Sequence, residues 1–223
     1  MKTTVCCLAL TMLLAARSAQ ADEASARAKL AQDQVAFTPD AFLNEVAAGN
    51  VEHVKLFLEG GIDPAVKNPQ SQTALWLAVE HKHLAVLQAL LAGGVAPNET
   101  NAPVLAYGKT IAFGAVDSGD AAFVRALVEA GADARKANDY EMPPLAEAAR
   151  TGNLEMCEIL LEGGADANAA PAGFPLLFGP VNEDHPDVVK LLLASGAKLG
   201  EHKAALLEAA KTPEMRALLE NAE

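Results

Sequence analysis

Cysteine is scarce in this chain of 223 residues: there are three, too few for a disulfide scaffold. Basic residues are in deficit, 17 against 29 acids, giving a formal net charge of −12. That balance argues against nucleic-acid binding, which needs Lys and Arg to displace counterions from phosphate. Aromatic residues make up only 4%. No apolar run reaches the roughly 17–25 residues of a membrane-spanning helix. Catalytic signatures are missing as well: there is no H-E-x-x-H, C-x-x-C, G-x-S-x-G or G-x-G-x-x-G. Gly108-Lys109-Thr110 imitates the end of a phosphate-binding loop, but the Gly needed five residues earlier is Pro103. No enzymatic activity, cofactor or metal is expected. What is abundant is apolar residues, 51% of the chain, which excludes wholesale disorder.

The first 21 residues have the layout of a secretory signal peptide. Lys2 gives a positive start, residues 5–16 are uncharged and mostly apolar, and Ala19-Gln20-Ala21 is a small-x-small cleavage pattern. Cleavage is expected after Ala21. Cys6 and Cys7 open the apolar run instead of sitting at the cleavage point, so a lipid anchor is not expected. Cleavage removes Lys2, Arg17 and no acid, which takes the 223-residue chain to 202 residues and the charge from −12 to −14. It leaves one thiol, Cys157, best kept buried in an oxidising compartment. The mature chain is expected in the bacterial periplasm, with no membrane insertion.

The rest of the chain repeats. An apolar helix end followed by Gly recurs as Leu58-Glu59-Gly60-Gly61-Ile62-Asp63, Leu91-Ala92-Gly93-Gly94-Val95-Ala96 and Val128-Glu129-Ala130-Gly131-Ala132-Asp133. It recurs again as Leu161-Glu162-Gly163-Gly164-Ala165-Asp166 and Leu193-Ala194-Ser195-Gly196-Ala197-Lys198. The closing Gly falls at 61, 94, 131, 164 and 196, at spacings of 33, 37, 33 and 32. A second word opens each unit, most clearly Pro143-Pro144-Leu145-Ala146-Glu147-Ala148-Ala149-Arg150-Thr151-Gly152. Thr73-Ala74-Leu75-Trp76-Leu77-Ala78-Val79 and Thr110-Ile111-Ala112-Phe113-Gly114-Ala115-Val116 align with it, and a divergent copy starts at Asp40. Together these words resemble the ankyrin repeat, whose period is about 33 residues.

The resemblance implies an all-α ankyrin-repeat solenoid of about five helix–turn–helix units with short hairpin loops and helical caps. The expected division is a signal peptide (1–21), an N-terminal lead-in and cap (22–39), the repeats (40–200) and a C-terminal helical cap (201–223). Local signals agree. Thr38-Pro39 and Thr212-Pro213 are helix starts, Asn50, Asp120 and Asn153 are placed to cap second helices, and Leu154, Cys157, Leu160 and Leu161 recur at helical spacing. Leu56, Leu90, Leu91 and residues 191–193 are expected in the core. Leu206, Leu207, Met215, Leu218 and Leu219 are expected to cover the last repeat. The 37-residue spacing reflects an insertion at residues 99–104, a neutral loop extension or a binding loop. Gly179 and Pro180 should shorten the first helix of the fifth unit.

Ankyrin proteins bind other proteins, and the resemblance implies binding on the hairpin tips and the inner face of the first helices. By position this surface is Pro69, Gln70, Gln72, Glu80 and His81 from the second unit; Tyr107, Lys109, Asp117 and Ser118 from the third; and Asp139, Tyr140, Met142, Arg150 and Thr151 from the fourth. Tyr107 and Tyr140 are the only tyrosines, and Tyr and Arg anchor interfaces well. Trp76 either packs between units or stands partly exposed as an anchor. His81 and His83 form an H-x-H, read as structural and not as metal ligands. Asn98-Glu99-Thr100 matches a glycosylation sequon. The expected partner is another protein, bound by a chain that is itself a monomer. The expected role is an adaptor or accessory of an envelope protein, such as a stress enzyme; an inhibitor or immunity protein blocking a toxin or hydrolase is the alternative.

Overall fold

The computed structural model describes residues 20–98 and 110–222, and in them the repeat becomes geometry. A helix over residues 20–32 (α1) leads in. Six helix pairs follow: α2 Pro39–Ala48 with α3 Val51–Glu59, α4 Ala74–Glu80 with α5 Leu84–Ala92, and α6 Ile111–Asp117 with α7 Ala121–Glu129. Then come α8 Pro144–Arg150 with α9 Leu154–Glu162, α10 Phe178–Asn182 with α11 Pro186–Ala194, and α12 Lys203–Ala209 with α13 Pro213–Asn221. The first helix of each pair packs on the first helix of the next, and the second on the second, so the pairs stack as two layers. This is the ankyrin solenoid expected from the sequence.

The first helices of the inner units are enclosed. In α4 the side chains of Ala74, Leu75, Leu77, Ala78 and Val79 are all buried, and every residue of α6 from Ile111 to Val116 is buried. Small residues such as Ala148 and Ala149 let neighbouring backbones close in. The second helices are amphipathic: α9 buries Met156, Cys157, Ile159 and Leu160 and turns Glu155 and Glu158 outward. A fully buried Leu stabilises by roughly 1.5–3 kcal/mol. Leu90 and Leu192 are fully buried, while Leu56, Leu91, Leu191 and Leu193 pack against the core half-buried.

In the first five pairs both kinds of helix end at a residue of left-handed conformation. At the close of the second unit Val95 N–H donates to the Leu90 carbonyl at 3.1 Å and Gly94 N–H to the Leu91 carbonyl at 3.0 Å. That is a Schellman close, which needs a left-handed residue at its corner. Gly94 supplies it with φ +84°, and Gly61, Gly131, Gly164 and Gly196 stand at the same corner of their units. Between the two helices of a pair the corner residue is Gly49, Lys82, Gly119, Gly152 or Asp184. Lys82 and Asp184 hold φ of 58° and 60° without being glycine.

Caps follow the sequence reading with one exception. Thr38, Asp120, Asn153 and Thr212 each accept a backbone N–H of the helix they open. Asn50 does not; its amide donates instead to Glu45 Oε2. That carboxylate also takes His53 Nδ1 at 2.9 Å, and this pull on the first turn of α3 outweighs the local cap. The helix carrying Gly179 and Pro180 is five residues long, as expected. Pro180 is its third residue, where the missing N–H has no intrahelical acceptor to lose. At the C-terminal end Leu206, Met215 and Leu219 are fully buried, and Leu207 and Leu218 are half-buried.

Polar ties join successive units. His83 Nε2 donates to the Ala47 carbonyl at 3.0 Å with its ring over Gly49, and His185 Nε2 donates to the Arg150 carbonyl at 3.2 Å with its ring over Gly152. Asn98 and Asn168 brace the closing turn of the following unit with both ends of the amide. Asn98 donates to the Gly131 carbonyl at 2.9 Å and accepts Asp133 N–H at 2.7 Å. Asn168 does the same with Gly196 and Lys198, at 2.9 Å in each case. Among the described residues the third and fourth units share neither kind of tie. An exposed Arg125–Glu155 ion pair at 3.1 Å and a 3.3 Å bond from the Thr110 hydroxyl to the Lys136 carbonyl lie there instead.

Candidate functional site: hairpin tips and the first-helix row

Two of the hairpins are each built on one asparagine. In the second unit Asn68 Oδ1 accepts the N–H of Gln70 at 3.0 Å and of Gln72 at 2.9 Å, and its backbone pairs with Gln72 and Ser71. Asn138 repeats this in the fourth unit, with Tyr140 and Met142 both at 3.0 Å. Ser71 and Glu141 take the left-handed corner, with φ of 63° and 58°. The loops are therefore fixed by their own hydrogen bonds, and they hold the side chains of residues 69, 70, 139 and 140 outward.

Of the residues expected on this surface, Pro69, Gln70, Glu80, His81, Asp117, Asp139, Tyr140, Arg150 and Thr151 are exposed. Gln72, Ser118 and Met142 are half-buried and partly structural. The Gln72 amide links Asn68 to Glu80, at 2.7 and 2.8 Å. Ser118 bonds back to the Ala115 carbonyl at 2.6 Å, and the Thr151 hydroxyl likewise to Glu147 at 3.0 Å. Met142 packs against the core. Tyr107, Lys109 and the insertion at residues 99–104 lie outside the described residues, as do residues 1–19.

Trp76 packs between units. Its benzo edge lies over Gly114, where an added Cβ would meet the ring at 2.9 Å. The indole is still half-buried and walls a groove of about 220 Å³ with Glu80, Lys82, Gly114, Asp117 and Ser118. Its Nε1 is buried with no acceptor among the described residues. His81 and His83 stack with ring centroids 6.2 Å apart, but His83 Nε2 is committed to Ala47. Among the described residues no group of three or more His, Cys, Asp or Glu is placed to hold a metal ion.

The charge of the row centres on Arg150. Its guanidinium holds Glu147, with Nε 3.0 Å from Oε2, and feels the carboxylates of Glu183 and Asp117. Hydrogen bonding to Glu147 in the first place, then the charges of Glu147, Glu183 and Asp117, pushes its pKa up. These carboxylates come from the third, fourth and fifth units. Elsewhere, burial of Cys157, with Glu158 beside it, pushes that thiol up to about 12.

One surface residue was not foreseen. Phe174, on the loop of the fifth unit, is 60% exposed, matching Tyr140 at 59%. Its signal is register: Phe174 lies 32 residues after Met142, the spacing that separates Gly196 from Gly164. The helix after it is atypical, which hides the alignment.

Comparison with known proteins agrees with this geometry. Residues 85–171 and 113–204 match the family model of ankyrin repeats (3 copies). A putative ankyrin repeat protein of fowlpox virus, FPV014, is 30% identical over 132 residues, covering 57% of this chain and 28% of its own. The mouse B-cell lymphoma 3 protein homolog is 33% identical over 151 residues, covering 66% of this chain and 33% of its own. The chain thus spans a third or less of these two relatives. The ankyrin repeat domain of human ASB11 superposes with a TM-score of 0.65 at 27% identity, covering 82% of this chain and 83% of that one. The periodic glycines, the stacked helix pairs and these matches establish that the chain belongs to the ankyrin-repeat family.

Proposed function

We propose that the chain is a non-enzymatic protein-binding module, exported to the bacterial envelope, where it serves as an adaptor or accessory of another envelope protein. Ankyrin repeats are protein-interaction modules, and one observation carries the reading here. The hairpin tips and first-helix ends present an ordered row of exposed side chains, with Tyr140 at its C-terminal half. Tyr gives large contact area at low entropic cost. Export rests on the layout of residues 1–21 alone. The acidic surplus suits a basic target and fast association, which keeps the inhibitor reading as the second one.

Two measurements test the proposal. Intact mass of the protein recovered from a periplasmic extract should match cleavage after Ala21; an uncleaved chain found only in the cytoplasm refutes export. Capture from an envelope extract should give one dominant protein, lost with Tyr107→Ala plus Tyr140→Ala. A captured toxin or hydrolase that loses activity on binding would replace adaptor by inhibitor, and no saturable partner at any salt would refute the binding role.

A further inference from the structure

The binding row has a polarity along it. Gln72, Lys109, Met142 and Phe174 occupy one position of successive units, at spacings of 37, 33 and 32. Gln70, Tyr107 and Tyr140 occupy another. The N-terminal rungs are polar and the C-terminal ones apolar. Among the described residues the large exposed apolar side chains are Tyr140, Phe174 and Leu154. Leu154 stands on α9, in the other layer, so the two rings on the binding side belong to adjacent units. Phe174 meets Phe178 edge-on, centroids 5.8 Å apart, and Phe178 meets His202 in the same way at 6.4 Å. The half-buried Phe178 therefore props the Phe174 ring in place while most of it faces water.

The surroundings of these rings carry one sign. Asp139 and Glu141 flank Tyr140 on its own hairpin, and both are exposed. In the row beside them the single guanidinium of Arg150 is shared by Glu147, Asp117 and Glu183. Among the described residues these five carboxylates outnumber the cations of Arg150 and Lys82 beside them, which leaves the patch net negative. Exposed apolar rings on a row with this acidic surplus are complementary to an apolar anchor with cations beside it, and an acidic anchor there would be repelled.

We infer that the Tyr140–Met142–Phe174 patch docks a segment of the partner protein in which an aromatic or aliphatic side chain is flanked by Lys or Arg. This rests on the protein-binding reading and adds the chemistry of the partner to it. The probe is a displayed library of random 12-residue peptides, panned against the purified chain. Enriched peptides should carry an apolar residue with basic neighbours, and their binding should weaken as salt rises. Tyr140→Ser plus Phe174→Ser should reduce affinity at least tenfold, and Asp139→Lys plus Glu141→Lys should reduce it severalfold, with the helical circular dichroism of both variants unchanged. Enrichment of acidic or uncharged peptides, binding indifferent to both double variants, or no ring-dependent binder overturns the inference. The two readings fail separately. An envelope partner captured equally by wild type and both double variants removes this patch and keeps the protein-binding function, whereas no partner for wild type removes the function itself.

Discussion

Replacing Gly152 by Ala should cost more than the same change at Gly131, because of a side chain from the next unit. Both residues are left-handed, with φ of +73° and +87°. Placing Ala there costs roughly 1–2 kcal/mol in backbone strain, offset by about 0.4–1 kcal/mol from a stiffer unfolded chain. At Gly131 nothing lies within 4 Å of the new Cβ, so the net of these two effects is the whole change. At Gly152 the new Cβ would lie 2.6 Å from Cε1 and Nδ1 of His185. The ring must swing out and give up its bond to the Arg150 carbonyl, a further loss of about 0.5–1.5 kcal/mol. Urea unfolding should therefore rank Gly152→Ala below Gly131→Ala by about 1 kcal/mol, or about 2–4 °C in Tm for a chain of this size. In a His185→Ala background the difference should vanish, since the obstruction and the bond go together. Equal losses at both glycines, or a gap that survives removal of His185, would refute the claim that this imidazole ties the fourth and fifth units.

Other expectations follow from single sites. Asn98→Ala and Asn168→Ala should each destabilise by about 1–2 kcal/mol in chemical denaturation, since each amide makes two bonds across a unit boundary. Cys157 should stay unmodified by a thiol reagent in native buffer and react at once in urea, because burial pushes its pKa up to about 12 and closes access. His53 is held protonated by its bond to Glu45 first, with Asp33 adding to it, so its pKa lies above the usual 6.5. Its stabilisation is then complete below pH 6.5 and is lost as pH rises through the raised folded value; His53→Asn should flatten the stability profile in that window. Tyr140→Ala alone should move Tm by no more than a degree or two, as expected of an exposed side chain.

What the sequence revealed and what it hid divide along physical lines. The closing glycines were legible because a Schellman corner selects its residue locally. The same holds for Thr38, whose cap involves only its own helix. Ties between units were not legible: His185 meets Arg150 at a separation of 35 residues, and no local pattern fixes that partner. Asn98 was readable only as a glycosylation sequon, yet its amide nitrogen is bonded to the Gly131 carbonyl. Asn50 failed as a cap because Glu45, a turn earlier, competes for its side chain. In the exposed row Tyr140 was legible as an outward-facing tip residue because its hairpin is regular. Phe174 was missed because Gly173 and Pro175 on either side disguise the register.

The uneven ties between units have a mechanical consequence. A hydrogen bond fixes the offset of its partners within a few tenths of an ångström, whereas apolar contact has no preferred direction and tolerates sliding. Among the described residues the boundary between the third and fourth units has neither the imidazole tie nor the amide brace, only the longer Thr110–Lys136 bond and an exposed ion pair, and it should bend more readily than the boundary that follows. There His185 and Asn168 lock the fourth and fifth units doubly. Tyr140 and Phe174, on two units joined in this way, should therefore keep the same separation with and without the proposed partner. A target whose contacts match that separation binds without the entropic loss of assembling it, and one that does not match is left with a single contact.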